Sequence, residues 1–271
     1  MKNIENLKNQ YEEYFRRSDC GISKGDVCPN GKTGCTCSVK AELKALYDTV
    51  IPGPYNTYNI RDFNGLSQGA SEPVVSDSSL MQAKQQLLEY CWEDLKVKDM
   101  NDISDEELIK KSIIQKRKVE GTDVVIYAES DNENQHAAPK GKTFIASIIM
   151  KEAIKSRFLK NDNYGWGTSR GDTYEWIEFS ILDNMAKSED KDLLNAIKAV
   201  DWLVIDNIPR CTRPYVRHRI DHVILERESD NLPTIFVCRY DIRVNENEIL
   251  SGMGLNKVFN DNRNFFIELK R

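Results

Sequence analysis

Four short apolar runs divide the second half of the chain: "DVVIYA" (123–128), "VDWLVIDNIPR" (200–210), "LPTIFVCRY" (232–240) and "NFFIELK" (264–270). Each is rich in β-branched or aromatic residues and too short to be a helix of ordinary length. Near-continuous apolarity without alternation is the mark of a parallel strand covered on both faces. Helical patterns separate the runs: one from 142, with Phe144, Ile145, Ile148, Ile149 and Ala153, and others around 172–186, 189–199 and 212–228. Strand and helix in alternation predict an α/β fold, a parallel sheet with helices on both faces. Such sheets bind ligands beyond the carboxyl ends of their strands.

The first loop is where a ligand is expected. "DVVIYA" is followed by a polar stretch and then by Gly141-Lys142-Thr143, which opens the apolar helix. A strand, a loop, Gly-Lys-Thr and a helix form the context of a phosphate-binding loop. N–H groups at a helix N-terminus face an anion, and the helix dipole favours negative charge there. Lys142 is expected to reach the β- and γ-phosphates of ATP, and Thr143 to hold Mg²⁺. Asp206, about sixty residues on and near the end of the second run, is the expected second ligand of the cation. The first half of the helix at 142 is apolar nearly all round, so it is expected to be covered on several sides.

The chain resembles the DnaC/IstB-like AAA+ ATPases, loaders of bacterial and phage replicative helicases and the related transposition ATPases. The motifs carrying the resemblance are "IPGPYNTYNIRDF", "VVIYA…GKTFIASII", "DWLVIDNIPR" and "LPTIFVCRYDI", in that order over residues 51–270. It implies a P-loop AAA+-type sheet, ATP and Mg²⁺ as cofactors, single-stranded DNA and a replicative helicase as partners, and a homo-oligomer as an option. It also marks departures. About eight residues are inserted after Ala128, and His136 and Pro139 stand where glycines are usual. A proline there removes an N–H that could hold phosphate. Asn207 replaces the second acid after Asp206, and an amide cannot act as a base. Arg239 replaces the sensor asparagine after the third run. Lys257 is the nearest cation where an arginine would reach a neighbour's γ-phosphate. The resemblance therefore implies ATP binding at Gly141, Lys142, Thr143, Asp206 and Arg239, with slow hydrolysis centred on Asp206 and Asn207. A non-enzymatic DNA-binding adaptor with a degenerate site and an IstB-like transposition ATPase remain as alternatives.

The N-terminal part reads differently. Cys20, Cys28, Cys35 and Cys37 lie in "CGISKGDVCPNGKTGCTC", while the other three of the seven cysteines are scattered. The N-terminus lacks the apolar stretch of a signal peptide, so a reducing, cytoplasmic setting is expected. There, four clustered thiolates with glycine turns between them suit a structural Zn²⁺ site. The resemblance links such a module to contact with the helicase. A second Gly-Lys-Thr, Gly31-Lys32-Thr33, falls among these cysteines with no strand before it. The expected organisation is a helical zinc module over 1–50, a linker with helices over 51–121, and the nucleotide-binding domain over 122–271. Within the second segment, Ser104 and Glu107 form a capping box for a helix that Gly121 stops.

A net charge of −5 speaks against a globally basic nucleic-acid binder, and no apolar run approaches membrane-spanning length. Local signals remain. Lys160, Tyr164, Trp166 and Arg170 interleave cations with aromatics, the pattern of a single-strand binder or the start of a strand. "RCTRPYVRHRIDHVILER" sets Val216, Ile220, Val223 and Ile224 in one stripe, with Arg227 at its end, buried or paired. His218 and His222 lie on the opposite face without the acid of a catalytic zinc helix.

Overall fold

The computed structural model describes residues 36–53, 55–60, 63, 77–100, 102–104, 107–108, 111–128, 141–159, 172–188, 191–209, 214–239 and 264–269. Among these, five parallel strands form one sheet: β1 (Val124–Ala128), β2 (Tyr174–Glu178), β3 (Trp202–Ile208), β4 (Thr234–Cys238) and β5 (Phe265–Leu269), in the order β2-β3-β4-β1-β5. β1 and β4 are buried at every position, as their unbroken apolarity requires of central strands. The strand leading to the Gly-Lys-Thr loop therefore lies between β4 and β5, and β3 is one strand further off.

Alternate residues face opposite sides. Val124, Ile126, Trp202, Val204, Ile235 and Val237 share one core with α1 (Thr36–Val50), α2 (Asp77–Cys91), α3 (Ile114–Glu120) and α4 (Lys142–Leu159). Val125, Leu203, Ile205 and Phe236 point the other way, into a core closed by α5 (Phe179–Ser188), α6 (Lys191–Ala199) and α7 (Pro214–Ser229). The expected α/β sheet with helices on both faces is present. The first half of α4 is covered all round, with Phe144 to Met150 buried without a break. Leu43 of α1 lies in the same core.

Two expectations are corrected. The segment read as a helix over 172–186 begins as β2, and the helix starts only at Phe179. β2 is an edge strand, half exposed and carrying two glutamates, so it lacks the apolar continuity of the others. The helix capped by Ser104, whose Oγ accepts the Glu107 N–H at 3.2 Å, does not run unbroken to Gly121. Ser112 makes an isolated antiparallel bridge to Trp92, and α3 begins after it. Gly121 does end α3, at φ 61°, where a Cβ would come within 2.7 Å of Asn231 Cα.

Polar groups fix the ends opposite the expected ligand site. Asp123 accepts the Thr234 N–H at 2.6 Å, and its backbone bonds tie it to Asn264 and Phe265 at the start of β5. The Arg227 guanidinium, wholly buried, donates to the carbonyls of Ile197, Lys198, Val200 and Pro233 and to the Thr234 hydroxyl. It collects the carbonyls that the end of α6 leaves unpaired. Burial lowers its pKa to about 10, against the pull of Asp123, Asp201 and Asp230.

Candidate functional site

Gly141 stands at the mouth of α4 with φ 126°, a backbone region that suits glycine, and its carbonyl accepts the Ile145 N–H at 2.9 Å. The first N–H groups of α4 are thereby aimed out of the helix towards the loop side. Lys142 follows at 6% exposure. Burial lowers its pKa to about 8; Cys238 and Asp206 oppose that shift, and Arg239 adds to it. The Cys238 thiol, wholly buried, is pushed up to about 12, so it is a neutral wall of the site.

Asp206 arrives from β3 at 3% exposure. Burial raises its pKa; the Asn207 N–H and the Thr143 hydroxyl, both hydrogen-bonded to it, pull it back, and Glu178 pushes it further up. The Trp176 indole N–H lies near enough to act on the carboxylate but outside hydrogen-bond geometry. Asn207 takes φ 61°, its N–H donates to Asp206 Oδ1 at 2.7 Å, and its Oδ1 accepts Arg239 Nε at 3.3 Å. Asparagine tolerates this left-handed backbone better than most residues. Arg239, exposed, is anchored by its N–H to the Ile208 carbonyl at 3.0 Å. Gly141, Lys142, Thr143, Asp206, Asn207 and Arg239 thus gather at the carboxyl ends of β1, β3 and β4, where the sequence expects a ligand.

Glu178 is the site residue that the sequence reading missed. It ends β2 in register with Asp206. The only local signal was the Tyr/Glu/Trp alternation just before it, hidden by reading the stretch as helix. Glu226, another acid of the region, is committed elsewhere: it pairs with Lys198 at 2.5 Å and with His222 at 3.2 Å on α7. Ile220, Val223 and Ile224 are buried as the stripe implied, and Arg227 is buried and paired. Arg219 donates to the Ala186 carbonyl at 2.8 Å.

Lys160, Tyr164, Trp166 and Arg170 lie outside the described residues, as do His136, Pro139, Lys257, Cys20, Cys28 and Cys35. Cys37 falls on α1, but its side chain is outside the described set. The zinc and DNA expectations therefore rest on sequence alone. Among the described residues no group of three or more His, Cys, Asp or Glu could hold a metal, and no helix is long and apolar enough to cross a membrane.

No protein-family model matches the chain, and no curated protein matches it. Solved structures do. The crystal structure of the DnaC helicase loader matches 72% of this chain and 100% of its own at 13% identity, TM-score 0.42. A suggested primosome component from Streptococcus pyogenes serotype M3 matches 84% of this chain and 97% of its own at 14% identity, TM-score 0.45. AMPPCP-bound DnaA from Aquifex aeolicus matches 67% of this chain at 16% identity, TM-score 0.41, and this chain spans half of the DnaA chain. These are distant likenesses, and no residue of the site takes its role from them.

Proposed function

We propose that the chain is an ATP-binding protein of the helicase-loader type, acting in DNA replication, with Mg²⁺·ATP as a slowly hydrolysed conformational switch. One observation carries the nucleotide reading: a buried lysine at the mouth of α4 and a buried aspartate from β3, 64 positions apart in sequence, come together in one site, where the Asp206 carboxylate pulls the Lys142 pKa up. Each ion is costly to bury. A polyphosphate beside Lys142 and a cation beside Asp206 would offset both costs. The Thr143 hydroxyl and the Asp206 carboxylate, hydrogen-bonded to each other, make a hard oxygen donor set, so the residues fit Mg²⁺. When bound, the cation would neutralise charge on the phosphates. Lys142 would hold the β/γ-phosphates, and Arg239, placed by Asn207, would face the γ-phosphate.

Slow turnover follows from the sequence departures. Asn207, in the position of the second acid, is no base, and its side-chain oxygen is engaged with Arg239. Lys257 stands where an arginine finger, worth ~10³–10⁵ in rate, would be. Contact with a replicative helicase through the N-terminal module, with Zn²⁺ on Cys20, Cys28, Cys35 and Cys37, and with single-stranded DNA through Lys160, Tyr164, Trp166 and Arg170, belongs to the same proposal and draws its support from the sequence. The test of the nucleotide reading is stabilisation of the folded chain by Mg²⁺·ATP, present in the wild type and lost in Lys142→Met. A wild type whose unfolding ignores Mg²⁺·ATP would overturn it.

A further inference from the structure

We propose that Glu178 is the catalytic carboxylate of this site, the base that takes a proton from the attacking water in the place of Asn207. The proposal rests on the ATP reading above and deepens it.

The argument begins with register. β2 and β3 pair in parallel with Glu178 opposite Asp206. Along β2, Tyr174 and Trp176 face the core that contains α4, and Glu178 is the next residue of that parity. Along β3, Trp202 and Val204 face the same core, and Asp206 continues their row. The two carboxylates are therefore cross-strand neighbours on one face, at the sheet end where α4 begins. Such neighbours lie roughly 5 Å apart at Cβ. Their charges are felt across the pair, since Glu178 raises the Asp206 pKa.

The two acids differ in environment. Asp206 is buried and takes hydrogen bonds from Asn207 and Thr143, which suits a fixed ligand. Glu178 is exposed, and the Ser180 hydroxyl donates to its Oε2 at 3.3 Å. An exposed carboxylate beside a buried one can meet water. Asn207, the residue that follows Asp206, faces Arg239 on the β4 side, away from β2. Glu226 is held by Lys198 and His222. Among the described residues, Glu178 is the acid that register brings beside Asp206.

The step balances. The water oxygen bonds to the γ-phosphorus as its proton passes to a Glu178 carboxylate oxygen. The bond from phosphorus to the β,γ-bridging oxygen breaks, and ADP leaves with that electron pair. Glu178 then returns the proton to solvent.

Glu178→Gln keeps the size of the side chain and an acceptor for Ser180 while removing the base. Wild type, Glu178→Gln and Lys142→Met are compared in two measurements: urea unfolding with and without Mg²⁺·ATP, and release of labelled phosphate in single-turnover incubations. The expected result is stabilisation by Mg²⁺·ATP in Glu178→Gln at least as large as in the wild type, because a like charge beside Asp206 is gone. Its phosphate release falls by ~10²-fold or more, so the nucleotide recovered after acid quenching is still ATP. Glu178→Asp retains part of the rate. Equal release by Glu178→Gln and wild type, or wild-type release no higher than that of Lys142→Met, overturns the role of Glu178 while the binding data leave the ATP reading in place. Absence of Mg²⁺·ATP stabilisation in the wild type overturns the ATP reading and this role together.

Discussion

Lys142→Met should make the folded chain more stable while destroying its ligand site. The Lys142 pKa falls from 10.5 to about 8 on folding, with burial as the main cause. At roughly 1.4 kcal/mol per pKa unit, holding that ammonium inside costs ~3 kcal/mol when it is charged in both states. Below pH ~8 the cost is borne in full. Between ~8 and 10.5 the unfolded chain alone holds the proton, so stability rises with pH as the cost is relieved. Methionine fills a similar volume without charge. Asp206 loses a partner in the exchange, so the net gain at pH 7 is ~1–3 kcal/mol. Urea unfolding at pH 7 and pH 9.5 measures it, and the advantage of the variant should shrink at the higher pH. With nucleotide the order reverses in part: at a hundredfold excess over Kd the wild type gains ~2.7 kcal/mol and the variant nothing. A variant less stable than wild type at pH 7, by an amount that ignores pH, would show that Lys142 serves packing and that the reasoning is wrong.

Arg227→Ala strands four carbonyls and should cost ~3–5 kcal/mol of stability, read as a fall in the urea midpoint. Arg227→Lys should recover less than half of that, because an ammonium cannot fork among them; full recovery would count against the hydrogen-bond account. The full chain should release about one Zn²⁺ on denaturation in the presence of a metallochromic dye, as four thiolates closing one tetrahedral site require; a metal-free chain refutes the cysteine reading. Trp166→Ala should weaken binding to single-stranded DNA by ~1–3 kcal/mol in an anisotropy titration, and unchanged affinity with unchanged unfolding would assign Trp166 another role.

Much of the architecture was legible because it is local. The apolar runs of β1 and β4, buried at every position, and the apolar stretches of β3 and β5 needed no partner to be recognised, since near-continuous apolarity marks a strand of a covered parallel sheet. α4 announced its burial by lacking a polar face. That Lys142, Thr143 and Asp206 lie together was legible from chemistry: a phosphate loop, if Gly141-Lys142-Thr143 is one, implies a carboxylate at a later strand end, and Asp206 stands there. β2 was not legible. Its glutamates at 175 and 178 suit a helix as well as an exposed edge, and the amphipathic pattern of α5 begins at the next residue. Arg227 was read only as far as a choice between burial and pairing, and the fold supplied both.

By itself, then, the sequence determined which segments are strands and helices wherever burial is two-sided, and which residues are the candidates for phosphate-binding chemistry. Tertiary structure alone decided that β1 lies between β4 and β5, that β2 borders β3, and that Asn207 turns to Arg239. Periodicity records how much of a segment is buried, and each residue carries that record itself. Which strand lies alongside depends on register between segments far apart in the chain, and no single residue encodes it. Glu178 stands beside Asp206 for that reason, although 27 residues separate them in the chain.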